Sequence, residues 1–387
     1  MLLIKNADLY DPKPRGACDI LVAGGRIVAV VPSGERTVFT VPCGLKTIDA
    51  GGCLAMPGII DRHVHFNGAG GEGGPENRTP PLQLSAFARA GVTTAVGMLG
   101  TDGTCRSLEE LLMKARGLEA EGISTWILTG SYSLPSQTMT GGVTRDICLI
   151  DKVIGLKLAI SDHRSSHPTV EEIRRSVSDA RVGGILSGKA GCVCVHMGNE
   201  PAGLTPLLEA VEGSDIPLSQ FAPTHISRCS GLLEQSAAYG LKGGILDITA
   251  APSGKPAFGT ATPLVVKQLL DAGVEAASIT ISSDGNGSMP SFNDRGEMTG
   301  LRIGPLDSVI ETVGEMLSEG TIPAETVISL VTSNPAAHLK LPLKGRLREG
   351  CDGDVLVLDG SFRPRFVAAK GRLLMEDGEV IVKGAFE

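Results

Sequence analysis

The chain has 387 residues, 42% of them hydrophobic, with 51 Gly but only 9 Phe, 3 Tyr and 1 Trp; this excludes a disordered chain, and a core of that size needs no disulfide or structural metal. A net charge of −8, the lack of a basic block and the scarcity of aromatics exclude nucleic acid as a partner. No apolar run reaches membrane-span length, the start MLLIKNADLYDP is too short for a signal peptide, and an odd count of 9 Cys fits reduced thiols, so a cytoplasmic location without membrane contact is expected.

In chain order, residues 1–56 read as short strands, Leu2–Ile4, Asp19–Val22 and Arg26–Val31, with turns at Asp11-Pro12 and Gly24-Gly25. From Gly58 onward, apolar runs of strand length alternate with helical patterns. Strands are expected at Gly58–His65, Thr93–Leu99, Thr125–Thr129, Val153–Ile160, Cys192–His196, Phe221–His225, Gly244–Thr249 and Ser278–Ser282. Helices are expected between them at Leu82–Ala90, Ser107–Glu121, Thr169–Val182, Thr205–Glu212, Leu232–Tyr239 and Pro263–Ala272, then at Leu306–Ser318 and Ala324–Val331. Ser107 with Glu110 and Thr169 with Glu172 have capping-box spacing, and Pro263 suits a first helical turn. Residues 342–387 return to short strands, Gly353–Leu358, Arg365–Ala369 and Gly378–Val382.

Near-continuous apolar strands joined by helices specify an α/β fold with a parallel sheet. Eight β-α units favour a closed (β/α)8 TIM-like barrel over an open sheet. Neither flank is large enough to stand alone, so the N- and C-terminal segments are expected to pair into a small β-sandwich domain. The expected division is 57–341 for the barrel and 1–56 with 342–387 for the sandwich.

In such a barrel, chemistry belongs at the C-terminal strand ends. The first strand ends on His63 and His65, which share a face because residues i and i+2 of a strand point the same way. They are either a metal chelate or two satisfied histidines. His196 and His225 close the fifth and sixth strands, and Asp284 follows the eighth in an Asp-Gly turn. That aspartate can ligate a cation, act as a base or simply make the turn. Lys157 lies inside the apolar run 153–160, where a solvated ammonium has no place. It must be paired, neutralised, modified or able to snorkel.

Other signals lead nowhere. Gly68-x-Gly70-x-x-Gly73 matches a dinucleotide fingerprint, but residues 74–81 contain three prolines and cannot open the helix that the pyrophosphate requires. A flexible loop explains the glycines better. Cys192 and Cys194 alternate with His196 on one strand face and read as small buried thiols. His163, His167 and His338 belong to no pattern, and neither a GxSxG elbow nor a Walker motif is present.

With PGIIDRHVHFNGAGGEGGP (57–75), VGMLGTD (96–102), TGSY (129–132), VIGLKLAISDHR (153–164), VHMG (195–198), PTHISR (223–228) and SSDGNGS (282–288), the sequence resembles the amidohydrolase superfamily, and within it the isoaspartyl dipeptidases. The resemblance runs in order through nearly the whole chain. It implies a hydrolase of β-Asp-X dipeptides with two zinc ions, one on His63 and His65 and the other on His196 and His225. Lys157, carboxylated, and a hydroxide would bridge them, while Asp284 would ligate the first ion and serve as general base and acid. Tyr132 would polarise the scissile carbonyl, Glu72 would face the α-amino group, and Arg164 and Arg228 the substrate carboxylates. Thr101 and Ser288 would line the pocket, and a homo-oligomer is expected. The alternative is another amidohydrolase of the dihydroorotase or hydantoinase kind, acting on cyclic amides.

Overall fold

The computed structural model describes residues 1–34, 44–253, 259–292 and 298–387. Eight parallel strands pair in chain order: Ile59–Val64, Val92–Gly97, Ser124–Gly130, Val153–Ile160, Cys192–Met197, Phe221–Thr224, Leu246–Thr249 and Ile279–Ser282. Every residue of Val153–Ile160 and of Cys192–Met197 is buried. Helices outside and packed side chains inside leave these strands no solvated face, which is why they are apolar throughout. The expected strands are all present.

The seam between the eighth and first strands is made differently from the rest. It consists of a single bridge between Val64 and Gly285, with the His65 amide donating to the Gly285 carbonyl at 2.9 Å. Asp61 adds a side-chain stitch, accepting from the Ser283 amide and hydroxyl. The barrel thus closes through the segments that carry His65 and Asp284.

Helix starts follow the local sequence signals. The Ser107 hydroxyl accepts from the Glu110 amide at 3.1 Å, and Thr169 with Glu172 forms a reciprocal capping box. The expected helices form with ends shifted by a few residues, such as Val170–Ser187 and Ser230–Leu241. Two short helices, Val143–Leu149 and Ser333–His338, and a hairpin of Ser288–Phe292 with Met298–Ile303 were not anticipated. Val143–Leu149 depends on a tertiary partner. Its buried Asp146 accepts from the Thr129 hydroxyl and from the amides of Met139 and Thr140, contacts invisible to local propensity.

The chain ends form one continuous nine-stranded sheet that encloses a separate apolar cluster, including Leu9, Ile20, Ile27 and Phe366. Hydrogen bonding thus pairs the N- and C-terminal segments, as expected of them, within one sheet. Its strand Val355–Leu358 has two apolar faces: Val355 and Val357 enter that cluster, while Leu356 and Leu358 enter the barrel core. That alternation docks the sheet on the barrel. Among the described residues, no helix is long and apolar enough to cross a membrane.

Lys344 ties the flank to the barrel, pairing with Asp352 and Asp354 at 2.7 and 2.6 Å and donating to the Ser124 hydroxyl. All three charges are largely buried. Lys344→Met removes the buried cation from Asp354 and leaves Asp352 with Arg26 alone, so chemical denaturation should register a loss of about 3–5 kcal/mol in unfolding free energy. A loss below about 1 kcal/mol would refute the tie.

Candidate active site

The barrel presents its strand ends to one rim, where His63, His65, His196, His225, Lys157 and Asp284 all lie buried. Ser161, His225 and Asp284 adopt left-handed backbone conformations, with φ of 52°, 64° and 52°. Such strain in non-glycine residues gathers at functional sites, and here it turns the chain sharply where the strands finish. The rings of His63 and His65, of His63 and His225, and of His196 and His225 lie 5.2, 5.2 and 4.6 Å apart.

The hydrogen bonds around these rings assign their lone pairs. His65 Nδ1 faces the Met98 carbonyl at 2.9 Å and must donate to it, which leaves the Nε2 lone pair facing Asp284 Oδ1 at 3.2 Å. The Thr224 hydroxyl donates to the Asp247 carboxylate at 2.8 Å, so its oxygen accepts from His63 Nδ1 at 3.3 Å. His63 Nε2 then also presents a lone pair, 3.4 Å from Asp284 Oδ1. His225 Nδ1 is held by the Thr249 hydroxyl at 2.6 Å. Burial pushes His63, His196 and His225 well below the usual histidine range, so these imidazoles are neutral.

Ligand atoms of His63, His225 and Asp284 lie within 4.8 Å of one another, which suits a cation. Neutral imidazoles, a carboxylate and hydroxyl or carbonyl partners on the far ring nitrogens form a transition-metal donor set with its outer support. Lys157 completes the centre. Its Nζ lies 3.2 Å from His63 Nε2 and 3.7 Å from Cys194 Sγ, and among the described residues no carboxylate contacts it. The Lys157 side chain is fully buried, with a ring nitrogen and a thiol as the neighbours of its amine.

His196 is engaged differently. Its Nε2 donates to Asp162 Oδ2 at 2.9 Å, so Nδ1 accepts from the Tyr132 hydroxyl at 2.7 Å. It stands beside His225 but outside the tight group of His63, His225 and Asp284. Burial holds the Tyr132 phenol well above the usual tyrosine range, so it stays a donor.

Above this floor lies a pocket lined by His65, Glu72, Thr101, Tyr132, Arg164, His196, Arg228, Asp284 and Ser288 among others. His63, Lys157 and His225 sit beneath it. Glu72 Oε1 accepts from the Thr101 hydroxyl at 2.9 Å and from Arg164 at 3.2 Å.

Asp162 was not singled out from the sequence. Its carboxylate takes two bonds from the Arg164 guanidinium, each 2.9 Å, and a third contact from Arg228 at 3.4 Å. Burial opposes its charge, but hydrogen bonds from His196 and Arg164 outweigh burial and hold the carboxyl far below the usual carboxylate range. The signal available was its position two residues before Arg164, in a strand-end turn. Cys192 and Cys194 are buried, and burial pushes the Cys192 thiol up to about 11, so it is protonated. His163 and His167 are exposed, and His338 pairs with the Ala277 carbonyl. The first helix after the glycine loop begins only at Leu84, too late for a dinucleotide fingerprint.

A family model described as Amidohydrolase family matches residues 260–382. The β-aspartyl dipeptidase of Fervidobacterium islandicum AW-1, solved in complex with β-Asp-Leu dipeptide, is 44% identical, with a TM-score of 0.91 covering 98% of this chain and 97% of that one. A D-hydantoinase (dihydropyrimidinase) from Thermus sp. shares the fold, with a TM-score of 0.66 covering 99% of this chain and 97% of that one at 16% identity. A dihydroorotase of Streptococcus pneumoniae serotype 4 is 37% identical over 113 residues, which is 29% of this chain and only 25% of that protein. The chain belongs to the amidohydrolases, and among them to the β-aspartyl dipeptidase family.

The Thr224 hydroxyl fixes the ring of His63 without touching the pocket. Thr224→Val should weaken binding of a divalent cation roughly tenfold to a hundredfold in a calorimetric titration of metal-stripped protein. Unchanged affinity would show that this hydroxyl does not orient the ring.

Proposed function

We propose that the protein hydrolyses the β-linked, isoaspartyl peptide bond of β-Asp-X dipeptides, using two zinc ions at the rim of the barrel. The observation that carries this reading is the charge pattern of the pocket. Glu72 faces Thr101 and Arg164 through one oxygen, while Oε2 is buried without a hydrogen-bond partner among the described residues. A buried carboxylate oxygen left in this way suits an ammonium group. Arg164 and Arg228 line the same pocket and suit carboxylates, so the pocket fits a zwitterion with more than one carboxylate. The likeness to a β-aspartyl dipeptidase bound to β-Asp-Leu supports the same reading.

His63, His65 and Asp284 would hold one zinc and His225 with His196 the other, the Tyr132 hydroxyl giving up His196 Nδ1 and turning to the substrate. Lys157 would serve both once its deprotonated amine has added CO2 and released a proton to give an anionic carbamate. Bound there, the zinc ions would polarise the scissile carbonyl and lower the pKa of water. Asp284, at the pocket wall, takes the proton of the attacking water and returns it to the leaving amine. Tyr132 remains protonated and donates to the oxygen that becomes negative. Glu72 binds the α-amino group, and the two arginines bind the substrate carboxylates, with Asp162 holding both guanidinium groups in place. Thr101 orients Glu72, and Ser288 lines the wall beside Asp284. A cyclic ureide has no free amine for Glu72, which favours the dipeptide over the dihydroorotase-like alternative.

Two tests bear on this reading. Exhaustive chelation should abolish hydrolysis of β-Asp-Leu, and zinc should restore it at about two equivalents per chain; activity surviving metal removal would contradict the metal assignment. Glu72→Gln should cost about 1.5–3 kcal/mol in binding the free amine, a fall of roughly tenfold or more in kcat/KM for β-Asp-Leu. N-succinyl-leucine is β-Asp-Leu without its α-amine, and its inhibition constant should change far less. Equal changes for both compounds would remove Glu72 from amine recognition.

A further inference from the structure

We propose that Arg106 is a positioning residue, whose guanidinium braces the neck of the loop carrying Glu72 and so sets the preference for a free α-amine. The second half of that statement rests on the role of Glu72 proposed above. The loop rises after the first barrel strand and contains Gly68, Gly70, Gly71, Gly73 and Gly74. Glycine gives a chain wide conformational freedom, so such a loop has little stiffness of its own. Bonds within the loop, such as Asn77 Nδ2 to the Glu72 carbonyl at 3.1 Å, shape its tip, and its neck is held from outside.

Arg106 lies just before the helix Leu108–Glu121 and is 6% exposed. Its Nη1 donates to the Asn67 carbonyl at 2.8 Å, and its Nη2 to the Ala69 and Thr79 carbonyls at 3.0 and 2.8 Å. Asn67 and Ala69 stand at one end of the loop and Thr79 at the other. One planar guanidinium therefore clamps both limbs.

Among the described residues, no carboxylate pairs with Arg106, so its hydrogen bonds go to backbone alone. A buried guanidinium whose two Nη groups donate to three carbonyls, with Nε left unpartnered among the described residues, is placed to organise the chain rather than to balance a charge. Gly68 makes room for it. At that position φ is +101°, and a Cβ would stand 2.6 Å from both Nη1 and Nη2. The clamp and the glycine are matched parts.

Two further contacts come from the same segment after the second strand. The Thr101 hydroxyl donates to Glu72 Oε1 at 2.9 Å, and Asp102 pairs with Arg78 at 3.0 Å. The loop is thus held at its neck, at the Glu72 carboxylate and on its returning limb by residues 101–106. Thr79 repeats the closure from inside, its hydroxyl accepting from the Ala69 amide at 2.7 Å and donating to the Asn286 carbonyl at 3.1 Å. Arg106 does not line the pocket, so it acts only through the loop.

The test uses zinc-loaded Arg106→Met and Arg106→Lys proteins. For Arg106→Met, KM for β-Asp-Leu should rise roughly tenfold or more, because a displacement of about 1 Å is enough for such losses. The inhibition constant of N-succinyl-leucine and the zinc content should stay within about twofold of the parent, and Arg106→Lys should fall between the two. In hydrogen exchange, amides of residues 68–79 should open faster while those of Leu108–Glu121 keep their protection. Added to Glu72→Gln, Arg106→Met should raise KM less than about twofold, as expected when one residue acts through the other. Equal losses for both ligands, loss of zinc or faster exchange throughout the barrel would overturn the proposal. Should Glu72→Gln itself leave amine preference intact, the reading of Glu72 fails separately. Exchange in Arg106→Met then still decides the brace: faster opening confined to 68–79 supports it, and unchanged opening refutes it.

Discussion

The structure turns on one constraint: imidazoles, a lysine and a carboxylate are buried together at the rim of an apolar barrel. Such groups are tolerated away from water only if their nitrogens and oxygens meet fixed partners. The barrel supplies those partners from neighbouring strands. Asp247 receives Thr224, Thr280 and Ser282, and Thr224 in turn receives His63. Met98 holds His65, Thr249 holds His225, and Asp61 stitches the seam through Ser283. The polar network links neighbouring strands, and at Asp61 it also serves the closure of the barrel. That is why the donor set can be buried and still be rigid.

Moving outward, the electrostatics change sign in steps. The neutral imidazoles give way to the Arg164 and Arg228 guanidinium groups, held against the Asp162 carboxylate. Beyond them stands Glu72 on a loop that belongs to no regular element. A ligand reaching the strand ends must therefore satisfy cationic groups and an anionic one within a small pocket. On the proposed function, the rim provides the reactive centre and the glycine-rich loop narrows which ligand can reach it.

The elements most legible in the sequence are those dictated by burial. Val153–Ile160 forms over the expected residues because a strand covered on both faces must be apolar throughout, which also makes Lys157 conspicuous. His63 and His65 were legible from their two-residue spacing. Asp162, Asp61, Asp247 and Arg106 were not. Their roles depend on neighbours distant in the chain, such as the Asn67 carbonyl under Arg106 or Ser283 beside Asp61. In isolation an aspartate after a strand reads as a turn, and an arginine before a helix reads as surface. The flanking sheet was legible as β-rich, but its continuity depends on pairing residues 54–57 with 355–358, far apart in sequence. Local patterns carry no such information.

The central claim is that a rim of metal-ligating side chains has been fitted to a dipeptide bearing a free amine and two carboxylates. Steady-state turnover of β-Asp-Leu, α-Asp-Leu, dihydroorotate and hydantoin by one zinc-loaded preparation tests it most directly. The account predicts hydrolysis of β-Asp-Leu at a kcat/KM far above the other three. Preferential turnover of dihydroorotate or hydantoin, with β-Asp-Leu left intact, would contradict it.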